Sequence, residues 1–279
     1  MHVDTAILTG ARHTSSATPC QDFCAAGMLP DGRAWGVIAD GCSTGGQTDL
    51  GARAWALAAR EVIKLVPDIE TEPETVRQLI LEHAAPMLDM LEQPDGYATL
   101  GLLQVKEKRV RAIIFGDGVL IARHLDGGVT FINITYGANA PFYLNYLRAP
   151  GLVETWRTAY AGQQRRAVMT RYDADGIMID LKTDTQPGEA PWVWDADVEK
   201  DELEIVMLAT DGATDAGENP AQTIRDIAAV KTPVGEFIRR RIAKLTRTWQ
   251  RAGQMPADDF AVTAVWLGEA ATTQENGND

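Results

Sequence analysis

Two aspartates in this chain each close an apolar run of strand length and are each followed by glycine. Asp40 ends the run Ala-Trp-Gly-Val-Ile-Ala, and Asp211 ends the run Ile-Val-Met-Leu-Ala-Thr. Neither run is followed by a return strand, so the ordinary role of Asp-Gly in tight turns does not explain this pair. A carboxylate at the end of a buried strand, beside a glycine that lets the backbone approach closely, is typical of a ligand for a hard cation.

Further acidic residues adjoin other apolar runs. Asp22 opens one run, Asp258 and Asp259 precede another, and Asp117 separates two runs that could equally form a hairpin. Gathering several aspartates without matching cationic side chains is costly unless a metal ion compensates their charge. An all-oxygen ligand set suits Mg²⁺ or Mn²⁺, with water completing the coordination. These residues therefore predict a divalent-metal site if the fold brings them together.

The elements that would position these acids can be predicted from hydrophobic periodicity. Short apolar runs punctuated by turn residues predict strands, and three longer stretches have apolar residues at helical spacing. Runs of strands with helices clustered between them favour an α+β fold over alternating βαβ units. The strands between residues 98 and 134 are predicted to form an antiparallel meander. The predicted strands cover residues 2–8, 34–39, 98–105, 110–115, 119–123, 129–134, 204–210 and 260–267, and the predicted helices cover residues 49–66, 73–92 and 234–249.

The organisation along the chain indicates a single domain over residues 1–268. Residues 140–200 are rich in Pro, Gly, Trp and Asp and have weak periodicity, which predicts an irregular insertion or flap rather than a linker. The last residues, 269–279, are small and polar, which predicts a disordered tail.

Composition excludes several classes of function. The 279 residues include 26 Lys and Arg against 39 Asp and Glu, a formal net charge of −13 that would repel a nucleic-acid backbone. No apolar run approaches the roughly 20 residues that a membrane span requires. The first residues lack the pattern of a secretory signal, and the three cysteines lack the spacing of a zinc site, which favours free thiols. We therefore expect a cytoplasmic protein that does not bind nucleic acid or membranes.

The acidic residues lie in five short motifs that follow one another in a recognisable order. The series is Gln21-Asp22, Val37-Ile38-Ala39-Asp40-Gly41, Phe115-Gly116-Asp117, Leu208-Ala209-Thr210-Asp211-Gly212 and Asp258-Asp259. Each motif alone is weak, but the ordered set resembles that of the metal-dependent type-2C Ser/Thr protein phosphatases. The form Cys20-Gln21-Asp22 and the loop after Asp40 are most similar to a bacterial stand-alone branch of that family. The resemblance spans residues 10–267, which is nearly the whole chain.

This resemblance implies a fold and a set of ligands. The fold would be an α-β-β-α sandwich, in which two antiparallel sheets flanked by helices hold two Mn²⁺ or Mg²⁺ ions in the cleft between them. Asp40 would bridge both ions, the Gly41 carbonyl would hold one, and Asp211 and Asp258 would hold the other, partly through water. Asp22 would anchor water molecules around the ions. Asp117 and Asp215 match positions that hold a third, weaker ion in some members.

The resemblance also implies the reaction. Two cations would activate a bridging water that attacks phosphorus directly, so Asp22, Asp40, Asp211 and Asp258 are the expected catalytic residues and no Ser, Cys or His nucleophile is required. The chain departs from the family pattern at Ala17, where most members carry a phosphate-binding Arg. Arg12 and His13 are nearby candidates for that role.

Three functions follow as hypotheses. The leading one is a phosphoprotein phosphatase that hydrolyses phosphoserine and phosphothreonine, with a phosphorylated protein as substrate and a Ser/Thr kinase as its counterpart. The absence of the usual Arg at Ala17 leaves open a weakly active or inactive metal-binding pseudophosphatase that acts as a binding module. A hydrolase of small phosphate esters is the third.

Overall fold

The computed structural model describes residues 1–160 and 164–268, and these form twelve strands and six helices. The predicted tail, residues 269–279, lies outside the described residues. The strands are His2–Leu8 (β1), Asp22–Met28 (β2), Ala34–Gly41 (β3), Ala98–Lys106 (β4), Arg109–Phe115 (β5), Gly118–His124 (β6), Val129–Tyr136 (β7), Gln164–Tyr172 (β8), Met178–Pro187 (β9), Trp192–Asp197 (β10), Leu203–Ala209 (β11) and Phe260–Trp266 (β12). The helices are Ala11–Ser16 (α1), Thr48–Leu65 (α2), Pro73–Leu88 (α3), Leu152–Ala159 (α4), Pro220–Ala228 (α5) and Phe237–Ala252 (α6).

The strands form two sheets that are antiparallel throughout. One sheet has the order β1-β12-β11-β6-β7-β8-β9, and the other has the order β10-β5-β4-β3-β2. Residues of both sheets share one buried cluster, which includes Ile38, Leu103, Leu120 and Leu208 and lies between them. Two sheets that each hide one face in this way leave their outer faces to be covered by helices.

Helices cover both outer faces. The apolar side of α2, including the fully buried Trp55, packs with α3 on the five-stranded sheet. On the seven-stranded sheet, α5 and α6 bury Ile227, Ile242 and Trp249 against strand residues such as Met207. The four layers confirm the α+β prediction and the α-β-β-α sandwich. The division into a single domain over residues 1–268 stays a prediction.

The predicted meander in the middle of the chain is wrong. β4 pairs with β5 and β6 pairs with β7, but β5 and β6 belong to different sheets. The chain crosses from one sheet to the other at Gly116-Asp117, because the apolar runs on either side each bury a face in a different layer. Asp117 is therefore a residue of a crossover and not of a hairpin turn.

The expectation of an irregular segment over residues 140–200 is also wrong in part. That segment contains α4 together with β8, β9 and β10, and β8 and β9 extend the seven-stranded sheet. β9 has no apolar alternation because eight of its ten residues are exposed. A strand with little buried surface leaves almost no periodic signal in the sequence. The flap role of this segment stays a prediction.

No helix of the described residues is long and apolar enough to cross a membrane.

Candidate functional site

The strand ends bring the predicted acidic residues to one end of the sandwich. In the five-stranded sheet, Asp22 at the start of β2 lies directly opposite Asp40 near the end of β3. In the seven-stranded sheet, Asp211 follows β11 and Asp258 precedes the adjacent β12. Asp117 enters from the crossover between the sheets. Antiparallel pairing thus places residues that are far apart in the sequence at the same edge of each sheet.

A cavity of about 110 Å³ opens where these strand ends meet. The cavity is lined by four carboxylates, by the loop after β3 and by three residues of the segment that follows β7. None of the described residues that line it is Lys, Arg or His. Its lining residues are Asp40, Gly41, Cys42, Ser43, Thr44, Thr99, Asp117, Asn139, Pro141, Tyr143, Asp211 and Asp258.

Two of the lining residues depend on glycine for their position. Asp117 stands between Gly116 and Gly118, whose φ angles of 96° and 143° lie in the region that favours glycine. A Cβ on Gly41 would lie 2.8 Å from the Thr48 carbonyl oxygen. The backbone of Gly41 therefore sits closer to its neighbours than any other residue type would permit, beside the Asp40 carboxylate.

Burial and mutual repulsion disfavour the charged form of the carboxyls. The pKa of Asp40 is raised well above its ordinary value by burial first, and then by the charges of Asp22, Asp211 and Asp117. Burial likewise raises the pKa of Asp22, and that of Asp211, where the charge of Asp258 adds to it. Burial, together with the charge of Asp211, raises the pKa of Asp117 to about 8. Without a compensating cation, these groups cannot all be ionised at neutral pH.

Asp40 is central to the cluster. The charges of Asp22, Asp211 and Asp117 all raise the pKa of its carboxyl. A grouping of acids of this kind is stabilised by a proton or by a cation.

The residues present fit hard divalent cations. Within the described residues, no three His, Cys, Asp or Glu side chains already converge into a ready-made cage for an ion. Mg²⁺ and similar ions, however, keep several waters and are held by only one or two carboxylates at a time. The all-oxygen donor set, the mutual repulsion of its acids and the lack of cationic lining residues suit ions of that kind.

Neighbouring polar residues fix the acids in place. The Thr210 hydroxyl donates to Asp22 Oδ2 at 2.6 Å and accepts from the Ala261 N–H at 2.9 Å. Asp215 Oδ2 accepts from the backbone N–H groups of Ala257 at 2.8 Å and Asp258 at 3.2 Å. Asp215 thus holds the loop that carries Asp258, and it does not line the cavity. The assignment of Asp215 to a third ion stays a prediction.

Asp259 has a supporting role that the sequence did not reveal. It is buried, and it accepts from the backbone N–H groups of Gly10 at 2.8 Å and Gln21 at 2.6 Å, while its Oδ2 lies 2.7 Å from His13 Nδ1. The Asp258-Asp259 pair was the only signal for it. These bonds connect the start of α1 and the segment before Asp22 to the loop before β12.

The two candidates for phosphate binding lie outside the cavity. His13 faces Asp259, and the side chain of Arg12 is exposed on α1. Neither residue lines the cavity, and their role toward phosphate stays a prediction. Cys42 and Tyr143, by contrast, line the cavity although no motif identified Tyr143.

Comparisons with known proteins bear on the family and on the fold. A family model described as Protein phosphatase 2C matches residues 9–254. A bacterial serine phosphatase of known structure is 13% identical with a TM-score of 0.61, over 96% of this chain and 98% of that one. The serine/threonine phosphatase Stp1 of Staphylococcus aureus is also 13% identical with a TM-score of 0.61, over 96% of both chains. Identity this low establishes the shared fold alone.

A third structure with a similar fold comes from an animal. A sex-determining protein of C. elegans is 17% identical with a TM-score of 0.56, over 96% of this chain and 65% of that one. Among curated protein sequences, none matches this chain significantly.

Proposed function

The chain belongs to the protein phosphatase 2C family, and from that premise we propose that it removes phosphate from phosphoserine and phosphothreonine in proteins, with divalent metal ions as cofactors. The observation that carries the proposal is the cluster of buried carboxylates around one cavity without a cationic side chain among its described lining residues. A phosphate dianion would be repelled by this cavity as it stands. Cations bound to the carboxylates would reverse its charge, which is the condition for admitting such a substrate.

The proposed ligands are those that the family's motifs imply, and the lining of the cavity by Asp40, Gly41, Asp211 and Asp258 supports them. Asp40 would hold both of two Mn²⁺ or Mg²⁺ ions, the Gly41 carbonyl would bind one, and Asp211 and Asp258 would bind the other. Asp117 lines the same cavity and is the proposed ligand of a third, weaker site, with Asp215 as the second proposed ligand of that site. When bound, the ions would supply charge compensation for the phosphoryl group and an activated water nucleophile.

The remaining residues of the site position these ligands. Thr210 fixes one oxygen of Asp22 by a hydrogen bond, which leaves the other to orient water. Asp215 fixes the backbone on which Asp258 stands. Ser43 and Thr44 also line the cavity, and their hydroxyls would offer a phosphoryl group neutral hydrogen-bond donors. A cavity of about 110 Å³ accommodates a phosphoryl group and leaves the rest of a phosphoprotein outside.

The test is hydrolysis of para-nitrophenyl phosphate with and without Mn²⁺, comparing wild type with Asp40→Asn and Asp211→Asn. Loss of a direct ligand should lower kcat by more than the roughly 10–100-fold typical of changes in outer-shell partners. The matched control is Asp175→Asn, because Asp175 is also followed by glycine but is exposed and remote from the cavity. We expect Asp175→Asn to retain wild-type turnover.

The outcomes separate the alternatives. Unchanged hydrolysis and Mn²⁺ binding in Asp40→Asn would refute the proposed site. Mn²⁺ binding by calorimetry without turnover in wild type would instead identify a pseudophosphatase. The substrate class is tested by comparing the hydrolysis of a panel of phosphopeptides with that of small phosphomonoesters. We expect kcat/KM to be higher for the phosphopeptides.

A further inference from the structure

β9 forms one open edge of the seven-stranded sheet. It pairs with β8 from Met178 to Pro187, with a register shift near its start that skips Ile179, and no other strand of the described residues pairs with its outer side. Three apolar side chains of β9 are exposed, namely Met178 (55%), Ile179 (56%) and Leu181 (56%), and so is Ile177 (62%), which directly precedes the strand. A long edge strand with exposed apolar residues offers a row of backbone donors and acceptors to another strand.

The two faces of β9 differ in character. Asp180 and Lys182 line a cleft that also contains Trp194 of the other sheet, so these charges face inward. Since side chains alternate along a regular strand, Leu181, which stands between these two residues, lies on the opposite, outer face. Asp180 and Lys182 form an ion pair of 2.9 Å within the strand, which shows that they share one face.

A second copy of this chain is complementary to that edge. Two copies of β9 that pair antiparallel can be related by a two-fold axis perpendicular to the sheet. Side chains directly opposite each other then point to the same face, so the axis lies between one residue and the same residue of the other copy. An axis at Asp180 would oppose two aspartates, and an axis at Lys182 would oppose two lysines. An axis at Leu181 opposes Asp180 to Lys182 of the other copy on both sides.

The same register gathers the apolar side chains. Leu181 lies directly opposite its own copy, so that two apolar side chains meet on the axis. An axis at Thr183 also pairs Lys182 with an acid, Asp184, but it leaves Leu181 opposite Thr185. Edge charges ordinarily protect a strand from pairing, but here they block only the registers that oppose like charges.

We propose that β9 is a homodimer interface, in which two copies pair antiparallel with Leu181 on the two-fold axis, forming one continuous sheet across both chains. The interface lies away from the candidate site. Leu181 pairs with Thr170 of β8. Gln186 lies nearer the cavity, because it pairs with Arg165, and Arg165 pairs in turn with Tyr136 at the end of β7. Five residues of strand place these points about 16 Å apart.

The experiment is light scattering coupled to size exclusion over a range of protein concentrations, with the full chain. Wild type is expected to approach twice the chain mass as concentration rises. The double variant Ile179→Lys/Leu181→Lys is expected to stay monomeric. Ile7→Lys is the matched control, because Ile7 is 45% exposed on β1, the opposite edge of the same sheet. This control should dimerise like wild type.

A charge exchange tests the register itself. Lys182→Asp places acids opposite Asp180 and should dissociate the dimer. Adding Asp180→Lys to that variant restores opposite charges only when the axis lies at Leu181, since an axis at Thr183 would leave the acid introduced by Lys182→Asp facing Asp184. Para-nitrophenyl phosphate hydrolysis is measured on every variant as a check of folding and should stay at the wild-type level.

Three results would overturn the proposal. They are a wild type that is monomeric at every concentration, a dimer that persists in Ile179→Lys/Leu181→Lys, and a charge exchange that fails to restore the dimer lost in Lys182→Asp. If the double lysine variant fails to fold, the two charge variants decide the matter alone.

Discussion

Replacing Asp117 with asparagine should stabilise the metal-free protein at neutral pH. Asp117 is buried among other acids, and burial raises its pKa from 3.8 to about 8. At pH 7 the folded carboxyl therefore keeps its proton, whereas the unfolded carboxyl is ionised. Folding must take up this proton, which costs free energy. Asparagine has nearly the same shape and needs no proton.

The size of the effect follows from the two pKa values. A pKa raised on folding contributes stability that is fully present below 3.8 and is lost as pH rises toward about 8. Each pH unit in that window corresponds to about 1.4 kcal/mol, so about 4 kcal/mol is lost by pH 7. Water entering the cavity reduces this value. With about 2 °C per kcal/mol for a large domain, Tm of Asp117→Asn should exceed that of wild type by up to about 8 °C.

The assay is thermal unfolding in a chelator between pH 5 and pH 7. The advantage of Asp117→Asn should increase by up to about 1.4 kcal/mol per pH unit. Saturating Mn²⁺ should then stabilise wild type more than the variant, because a ligand that binds only the folded state stabilises it in proportion to its affinity. The exposed variant Asp175→Asn should show neither effect. Equal stability of Asp117→Asn and wild type across this pH range would refute the reasoning.

Two further predictions concern the residues that support the site and the packing of the sheets. Thr210→Val removes the donor to Asp22 Oδ2 and the acceptor for a buried backbone N–H, so the free energy of unfolding should fall by about 1–3 kcal/mol in urea titration; Thr210→Ser, which keeps the hydroxyl, should recover most of it. Gly36→Ala would place a Cβ 2.7 Å from Thr263 Cγ2 in the facing sheet and should cost about 1–3 kcal/mol by the same measurement. Adding Thr263→Ala should recover part of that loss, and a Gly36→Ala protein as stable as wild type would contradict the close packing inferred here.

Much of the fold was predictable where one face of an element is buried. β1 begins and ends at the predicted residues, and α6 ends where Gly253 adopts a φ of 68° as its C-terminal cap. The signals there are local, because alternation, helical spacing and a cap residue act within a few residues. β2 and β9 were missed, since β2 is short on large apolar residues and β9 is largely exposed.

The candidate site divides in a similar way. The identities of Asp22, Asp40, Asp211 and Asp258 were predicted from motifs, and Gly41 from its place beside Asp40. Whether Asp117 stood in a hairpin turn or near the other acids could not be decided from the sequence, because β5 and β6 have the same pattern in either arrangement. The contact between His13 and Asp259 joins residues 246 positions apart, and no local pattern encodes it.

The sequence was enough to predict the residue types of the candidate site and most of the strands and helices that carry them. Residue type fixes which atoms can donate, accept or carry charge, and hydrophobic periodicity fixes which faces must be buried. Which acids share a cavity, and how strongly burial opposes their ionisation, could be read only from the folded chain. The tertiary structure also decided that β9 is left as an open edge. Those properties depend on the distances between segments remote in the chain, and such distances exist only once the two sheets have packed against each other.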